Sequence, residues 1–153
     1  MSVAFRRESD EEHLEPKFEL PIPPGPNVVT KRGYALIEAR VGELEAALEA
    51  ASEEEERKRL QRELRYWRSR LSTAQIAPVP TGSAVAIGTH VTFQQGEHVR
   101  TVTLVGHDEA DPASGLLSFG SPLGRALMGA ESGDEVDVPG QDEPLTITAI
   151  EVA

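Results

Sequence analysis

A chain of 153 residues has room for one ordinary domain, or for one small domain with an appendage that needs little core of its own. It contains no cysteine, which excludes a disulfide framework and a thiolate metal site and agrees with a reducing compartment. The net charge of −11 excludes a surface that wraps duplex nucleic acid all round, because such binding needs cations to neutralise phosphates.

The charge is unevenly spread. Residues before Thr30 carry 3 basic and 6 acidic side chains, residues 30–77 carry 10 and 9, and residues from Thr81 onward carry 2 and 11. Residues 1–29 read as a leader, with a charged run at Arg6-Arg7-Glu8-Ser9-Asp10-Glu11-Glu12 and a close at Pro21-Ile22-Pro23-Pro24-Gly25-Pro26. Too little apolar surface is present to offset the ordering entropy, and the prolines forbid helix, so a flexible segment with an extended end is expected. Residues 30–77 change character. Ile37, Val41, Leu44 and Leu48, then Leu60, Leu64, Trp67, Leu71 and Ala74, recur in steps of three and four. Each set makes a narrow apolar stripe on a helix, and two such stripes are satisfied by covering each other as an antiparallel coiled-coil hairpin. Thr30 is the expected N-cap of the first helix, and Ser52 with Glu55 reads as a capping box opening the second. Helices of roughly 20 residues would give an arm on the order of 30 Å long.

Residues 78–83, with Pro78, Pro80 and Gly82, form the expected linker. From residue 84 to 153 the apolar period falls towards two. Strands are expected over 85–93, 99–105, 116–119, 136–138 and 145–152, separated by Gly, Asp and Pro turns such as Gln95-Gly96. One short helix interrupts them: Ser121 as cap and Pro122 as first residue precede Leu123 to Met128, and Gly129 ends it. The fold class is therefore α+β, a helical hairpin followed by an antiparallel β domain with one short helix. No run of about 18 apolar residues occurs and the amino terminus has no apolar core, so a soluble cytoplasmic monomer with no membrane partner is expected.

Two stretches carry a resemblance. Gly106-His107-Asp108-Glu109-Ala110-Asp111, Gly115-Leu116-Leu117-Ser118, Ser121-Pro122-Leu123-Gly124-Arg125-Ala126-Leu127-Met128-Gly129 and Gly133-Asp134-Glu135-Val136 follow in order. With Val29-Thr30-Lys31-Arg32-Gly33-Tyr34 upstream, this pattern resembles the Gre transcript-cleavage factors from Asn27 to the end of the chain. The resemblance implies an FKBP-like β domain without isomerase activity, docked at the secondary channel of bacterial RNA polymerase, with the arm inserted towards the active centre. It implies a regulator of transcription elongation rather than an enzyme, since the chemistry belongs to the polymerase. It also points to Asp108, Glu109, Asp111, Ser121, Pro122, Leu123 and Arg125 as polymerase-docking residues. The second helix carries Arg57, Arg59, Arg62 and Arg65, which by the same resemblance face nascent RNA. The other reading pairs these cations with Glu38, Glu43, Glu45 and Glu49 on the first helix. For Trp67 packing within the hairpin is expected, and for Arg125 an ion pair with Asp108 or Asp111.

The family's tip loop, Gly-Asp-x-Ser-Glu-Asn-Ala-x-Tyr, supplies carboxylates to a magnesium ion shared with the polymerase active site. Residues 42–57 lack that loop, and the only acidic candidates for such a metal are Glu53, Glu54, Glu55 and Glu56. Their other reading is a first helical turn meeting the helix dipole. The arm is also about three turns shorter per helix than the cleavage-competent ones, a deficit of roughly 15 Å. No cofactor of the chain's own is therefore expected, and stimulation of cleavage is in doubt. A short-armed relative, the Rnk regulators of nucleoside diphosphate kinase, is the alternative template and would make this chain a competitor of Gre factors.

Overall fold

The computed structural model describes residues 19–153, so residues 1–18 of the leader expected over residues 1–29 lie outside the described residues. Strand β1 (Val28–Val29) leads into helix α1 (Lys31–Ala50), which is followed by α2 (Glu54–Thr73) and β2 (Gln75–Ile76). The remaining elements are β3 (Thr89–Gln95), β4 (His98–Val105), β5 (Leu116–Ser118), α3 (Pro122–Leu127), β6 (Glu135–Val136) and β7 (Leu145–Val152).

The two helices have 20 residues each and cover one another as the stripes require. Val41, Leu44, Leu60 and Leu64 are buried between them, with Leu48, Trp67 and Leu71 packed alongside. This cluster is separate from the core of the β domain, so the hairpin is an arm and not a layer of the globule. At its base the chain entering α1 and the chain leaving α2 pair side by side. β1 and β2 run parallel, Val28 opposite Gln75 and Val29 opposite Ile76. The sequence gives no period for so short a pair; α2 ends at Thr73 and frees the next residues for it.

The β domain is a five-stranded sheet in the order β5-β4-β3-β7-β6. Its core gathers Val91, Phe93, Val102, Leu104, Leu145 and Ile147 from the strands, Leu127 from α3, and Val85 and Val138 from the loops. The sheet is mixed rather than wholly antiparallel, because β5 lies parallel to β4. The connection between them folds into two short 3₁₀ turns, His107–Glu109 and Pro112–Ser114, and so returns the chain to the same end of the sheet. Strand β3 begins at Thr89, later than its apolar run suggests. Val85 is instead fixed by backbone bonds to Ala130 and Gly129 beside α3. As expected, Ser121 caps α3 by accepting the Gly124 N–H at 3.0 Å, and Gly129 stands just beyond it at φ +83°.

Candidate functional site

The densest polar cluster lies where the arm meets the sheet. Thr30 caps α1 by accepting the Gly33 N–H at 2.9 Å, as its position before the helix predicts. Its hydroxyl donates in turn to Glu109 Oε1 at 2.5 Å, and Arg32 donates to Glu109 Oε2 at 2.6 Å. Immediately before Glu109 in the same 3₁₀ segment, Asp108 accepts from Tyr66 Oη at 2.5 Å and from Arg70 Nε at 2.6 Å. Arg70 also donates to Asn27 Oδ1 at 2.8 Å, while Asn27 Nδ2 donates back to the Arg70 carbonyl at 2.8 Å.

These charges are dehydrated: the side chains of Arg70 and Asp108 are each 4% exposed, and that of Glu109 is 4% exposed. Burial of a charge is tolerable only where its bonding capacity is met, and here the partners come from α1, α2, the segment before α1 and the acidic turn. Burial, and after it the bond to Asp108, push the Tyr66 phenol above its ordinary range. The cluster holds the arm at one attitude to the sheet.

Two glycines let the surfaces meet. A Cβ on Gly33 would stand 2.8 Å from Glu109 Oε1, and one on Gly106 would stand 2.5 Å from the Val28 carbonyl oxygen. The segments singled out at residues 29–34 and 106–109 are thus the two halves of one joint. The side chains of Asp108 and Glu109, expected on a docking surface, are buried in this joint instead. Asn27, Tyr66 and Arg70 complete the joint and have no local signature, since their bonds to one another and to Asp108 span 38 to 43 residues of sequence.

The other expected docking residues lie apart from the joint. Asp111 is exposed and accepts from the Ser114 hydroxyl at 2.8 Å. Pro122 and Arg125 are exposed on α3, and Leu123 leans on the sheet core. Arg125 does not pair with Asp108 or Asp111; Asp108 is already taken by Arg70, and Arg125 donates to the Gly120 carbonyl at 2.8 Å. Gly124 is required here because a Cβ would collide with the Ser118 carbonyl oxygen, which keeps α3 tight against the end of β5.

At the far end of the arm the expected capping box does not form. Glu53 takes the N-cap position without a side-chain bond, and Ser52 falls in the turn. The turn is secured by Arg57 instead, whose Nη1 donates to the carbonyls of Leu48 at 2.8 Å and Ala51 at 2.9 Å. Arg57, expected to face RNA, thus closes the end of α1 through its Nη1.

Glu54, Glu55 and Glu56 fill the first turn of α2, where the helix dipole favours them, and all are exposed. Glu54 leans towards Lys58 and Glu56 towards Arg59. Among the described residues no group of three or more carboxylates or histidines stands together as metal ligands. Of the other basic residues, Arg59 pairs with Glu63 at 2.8 Å and Arg68 reaches across the hairpin to Glu45 at 2.9 Å. Glu45 is the one first-helix acid of the four expected that pairs across the helices with a second-helix cation whose partner is described. Arg65 is held by Glu19, and Trp67 packs in the hairpin with its ring edge-on to Tyr66 at 5.2 Å.

Residues 80–153 match the family model described as "Transcription elongation factor, GreA/GreB, C-term". The chain is 37% identical to the transcription elongation factor GreA of Thioalkalivibrio sulfidiphilus over 124 residues, 76% of this chain and 78% of that one. It is 32% identical to the GreA of Pseudomonas putida over 159 aligned positions, covering 99% of this chain and 94% of the relative. The GreA of Desulfovibrio desulfuricans is 40% identical over 79 residues, and there the match spans about half of each chain. Among solved structures, the Gfh1 protein of Thermus thermophilus covers 83% of this chain at 20% identity with a TM-score of 0.41, a likeness too loose to argue from.

Proposed function

Because the chain belongs to the GreA/GreB family of transcription elongation factors, we propose that it binds bacterial RNA polymerase, with the sheet domain docked at the secondary channel and the arm entering it. The observation that carries this reading is the joint: a buried ion-pair network fixes a projecting hairpin to a compact sheet, so a grip on the domain aims the arm. A loose hinge would lose that direction. The docking surface then falls to α3 and its approach, around Ser121, Pro122, Leu123 and Arg125, together with Asp111. Asp108 and Glu109 act one step behind it, by holding the arm.

The arm acts by occupancy and without chemistry of its own. Helices of 20 residues reach about 30 Å, and the tip presents a helix start whose first-turn acids, Glu54, Glu55 and Glu56, are exposed. The reading as a nucleoside diphosphate kinase regulator has no support among the relatives described above, which bear the GreA name.

The test is made on stalled, backtracked elongation complexes. Co-elution with core polymerase is expected, with slowed nucleotide addition or blocked access of a cleavage-competent factor, and no shortened transcripts beyond the polymerase's own background. Failure to co-elute would overturn the reading. Shortened transcripts that disappear when Glu53, Glu54, Glu55 and Glu56 are changed to Gln would replace occupancy with cleavage.

A further inference from the structure

The face of the sheet turned away from α3 carries a groove. Along β3 and β4, Val91, Phe93, Val102 and Leu104 enter the core, so alternation turns His90, Thr103 and Val105 to the opposite side. The chain leaving the arm crosses one end of that side. The Ala77 N–H donates to the Val29 carbonyl at 2.8 Å, and Pro80 lies against Gly88, where an added Cβ would stand 3.5 Å from the proline ring. Residues 76–80 are thus tied to the base of the arm at one end and to the sheet at the other, and Pro78 and Pro80 stiffen the span between. Span and sheet enclose a half-open cavity of about 550 Å³, floored by Ile87, Val105 and Leu116.

Its lining is apolar with one charge unspent. Among the described residues seven large apolar side chains stay exposed, and three of these, Ile76, Val79 and Val152, ring the cavity. Apolar surface gathered around a preformed hollow is the usual setting for the apolar body of a ligand. Three charged side chains reach the cavity, Lys31, Arg32 and Glu109. Glu109 is taken by Arg32 and Thr30. Lys31 is exposed, and its amine makes no hydrogen bond or ion pair with any described residue. In the floor, His90 Nδ1 stands 2.7 Å from the Thr103 hydroxyl, which leaves Nε2 open to a ligand.

These features select the occupant. A phosphate or other dianion calls for more cations than one free amine, and a neutral or cationic body would leave that amine unused. The complement is a single carboxylate on an apolar body. The size fits a small molecule, since pockets of about 300–1,000 Å³ enclose most of a drug-sized ligand.

We propose that this groove binds a small monocarboxylate with an apolar body, its carboxylate on Lys31 and its body along Ile76, Val79 and Val152. The inference does not rest on polymerase binding.

Decanoate is the probe. Isothermal titration into the full-length protein, kept below the concentration at which decanoate forms micelles, should show saturable one-to-one binding. Lys31→Gln should weaken it about tenfold, the loss expected for one charge-assisted hydrogen bond, and 1-decanol should bind the native protein about tenfold more weakly than decanoate. Ile76→Ser/Val79→Ser should abolish binding while keeping the native urea midpoint, because both side chains are already exposed. Lys58→Gln, at the other end of the arm, should leave binding unchanged. Absence of saturable binding would overturn the proposal, and so would an affinity that is the same in Lys31→Gln, the same for decanol, or lowered as much by Lys58→Gln. A dimer that forms with rising concentration in analytical ultracentrifugation and dissolves in Ile76→Ser/Val79→Ser would also overturn it, by giving the groove to a second copy of the chain.

Discussion

The base and the outer face of the arm are built from the same chemistry, arginines set against carboxylates, yet they behave as different materials. Arg70 and Asp108 are each 4% exposed and share partners with Tyr66 and Asn27, whereas Arg68 and Glu45 are 56% and 50% exposed and stand alone. In water an ion pair trades one set of good interactions for another, and salt screens what is left. In the joint there is no solvent to take over if a partner is removed. Position, not residue type, decides which pairs fix the fold and which contribute little to it.

The largest effect that would sharpen this contrast is expected from Arg70→Met, which leaves Asp108 buried without its cation. It should cost about 3–5 kcal/mol in urea unfolding followed by Trp67 fluorescence, while Arg68→Met should change stability by no more than about 1 kcal/mol. Pairing Arg70→Met with Asp108→Leu should restore much of the loss. Equal costs for the two arginines would break the comparison.

A middle-sized effect is expected from the backbone contact. Gly106→Ala forces β1 away from the loop and should cost about 1–3 kcal/mol. Gly42→Ala, on the exposed side of α1 with nothing near its added Cβ, should stabilise by up to about 1 kcal/mol through helix propensity. The same unfolding curves measure both.

The smallest effect concerns alkali. The folded Tyr66 phenol holds its proton to a higher pH than the unfolded one, whose ordinary value is about 10. Its contribution is complete below that value. Above it the unfolded state binds fewer protons than the folded state, so stability falls as pH rises. The urea midpoint should therefore decline more steeply between about pH 9.5 and 11 in the native protein than in Tyr66→Phe. Parallel slopes would show that the phenol's bond to Asp108 contributes nothing to the joint.

Some of the local structure was legible residue by residue. Thr30 and Ser121 cap the helices they precede, and Pro122 and Gly129 bracket α3. Strand β7 spans the residues its alternation marked. The capping box at Ser52 shows how such reading fails. Its spacing is right, but Glu53 and not Ser52 takes the N-cap position, so α2 begins one residue later than the motif would place it. Asp108 and Glu109 teach a different lesson: acids after a glycine look exposed until partners distant in sequence, Arg70 for Asp108 and Thr30 for Glu109, bury them.

What the sequence determined by itself was therefore everything that depends on near neighbours: two apolar stripes, their length, the turn punctuation and the sign of charge along the chain. The tertiary structure alone decided that Asp108 meets Arg70, that Glu109 meets Thr30 and Arg32, and that the strands at residues 28–29 and 75–76 lie parallel. Stripes and caps arise from interactions within a turn or two of helix, where spacing fixes geometry. A joint joins segments tens of residues apart, and its charges can be dehydrated only where partners from both segments meet, which no stretch of either segment can arrange alone.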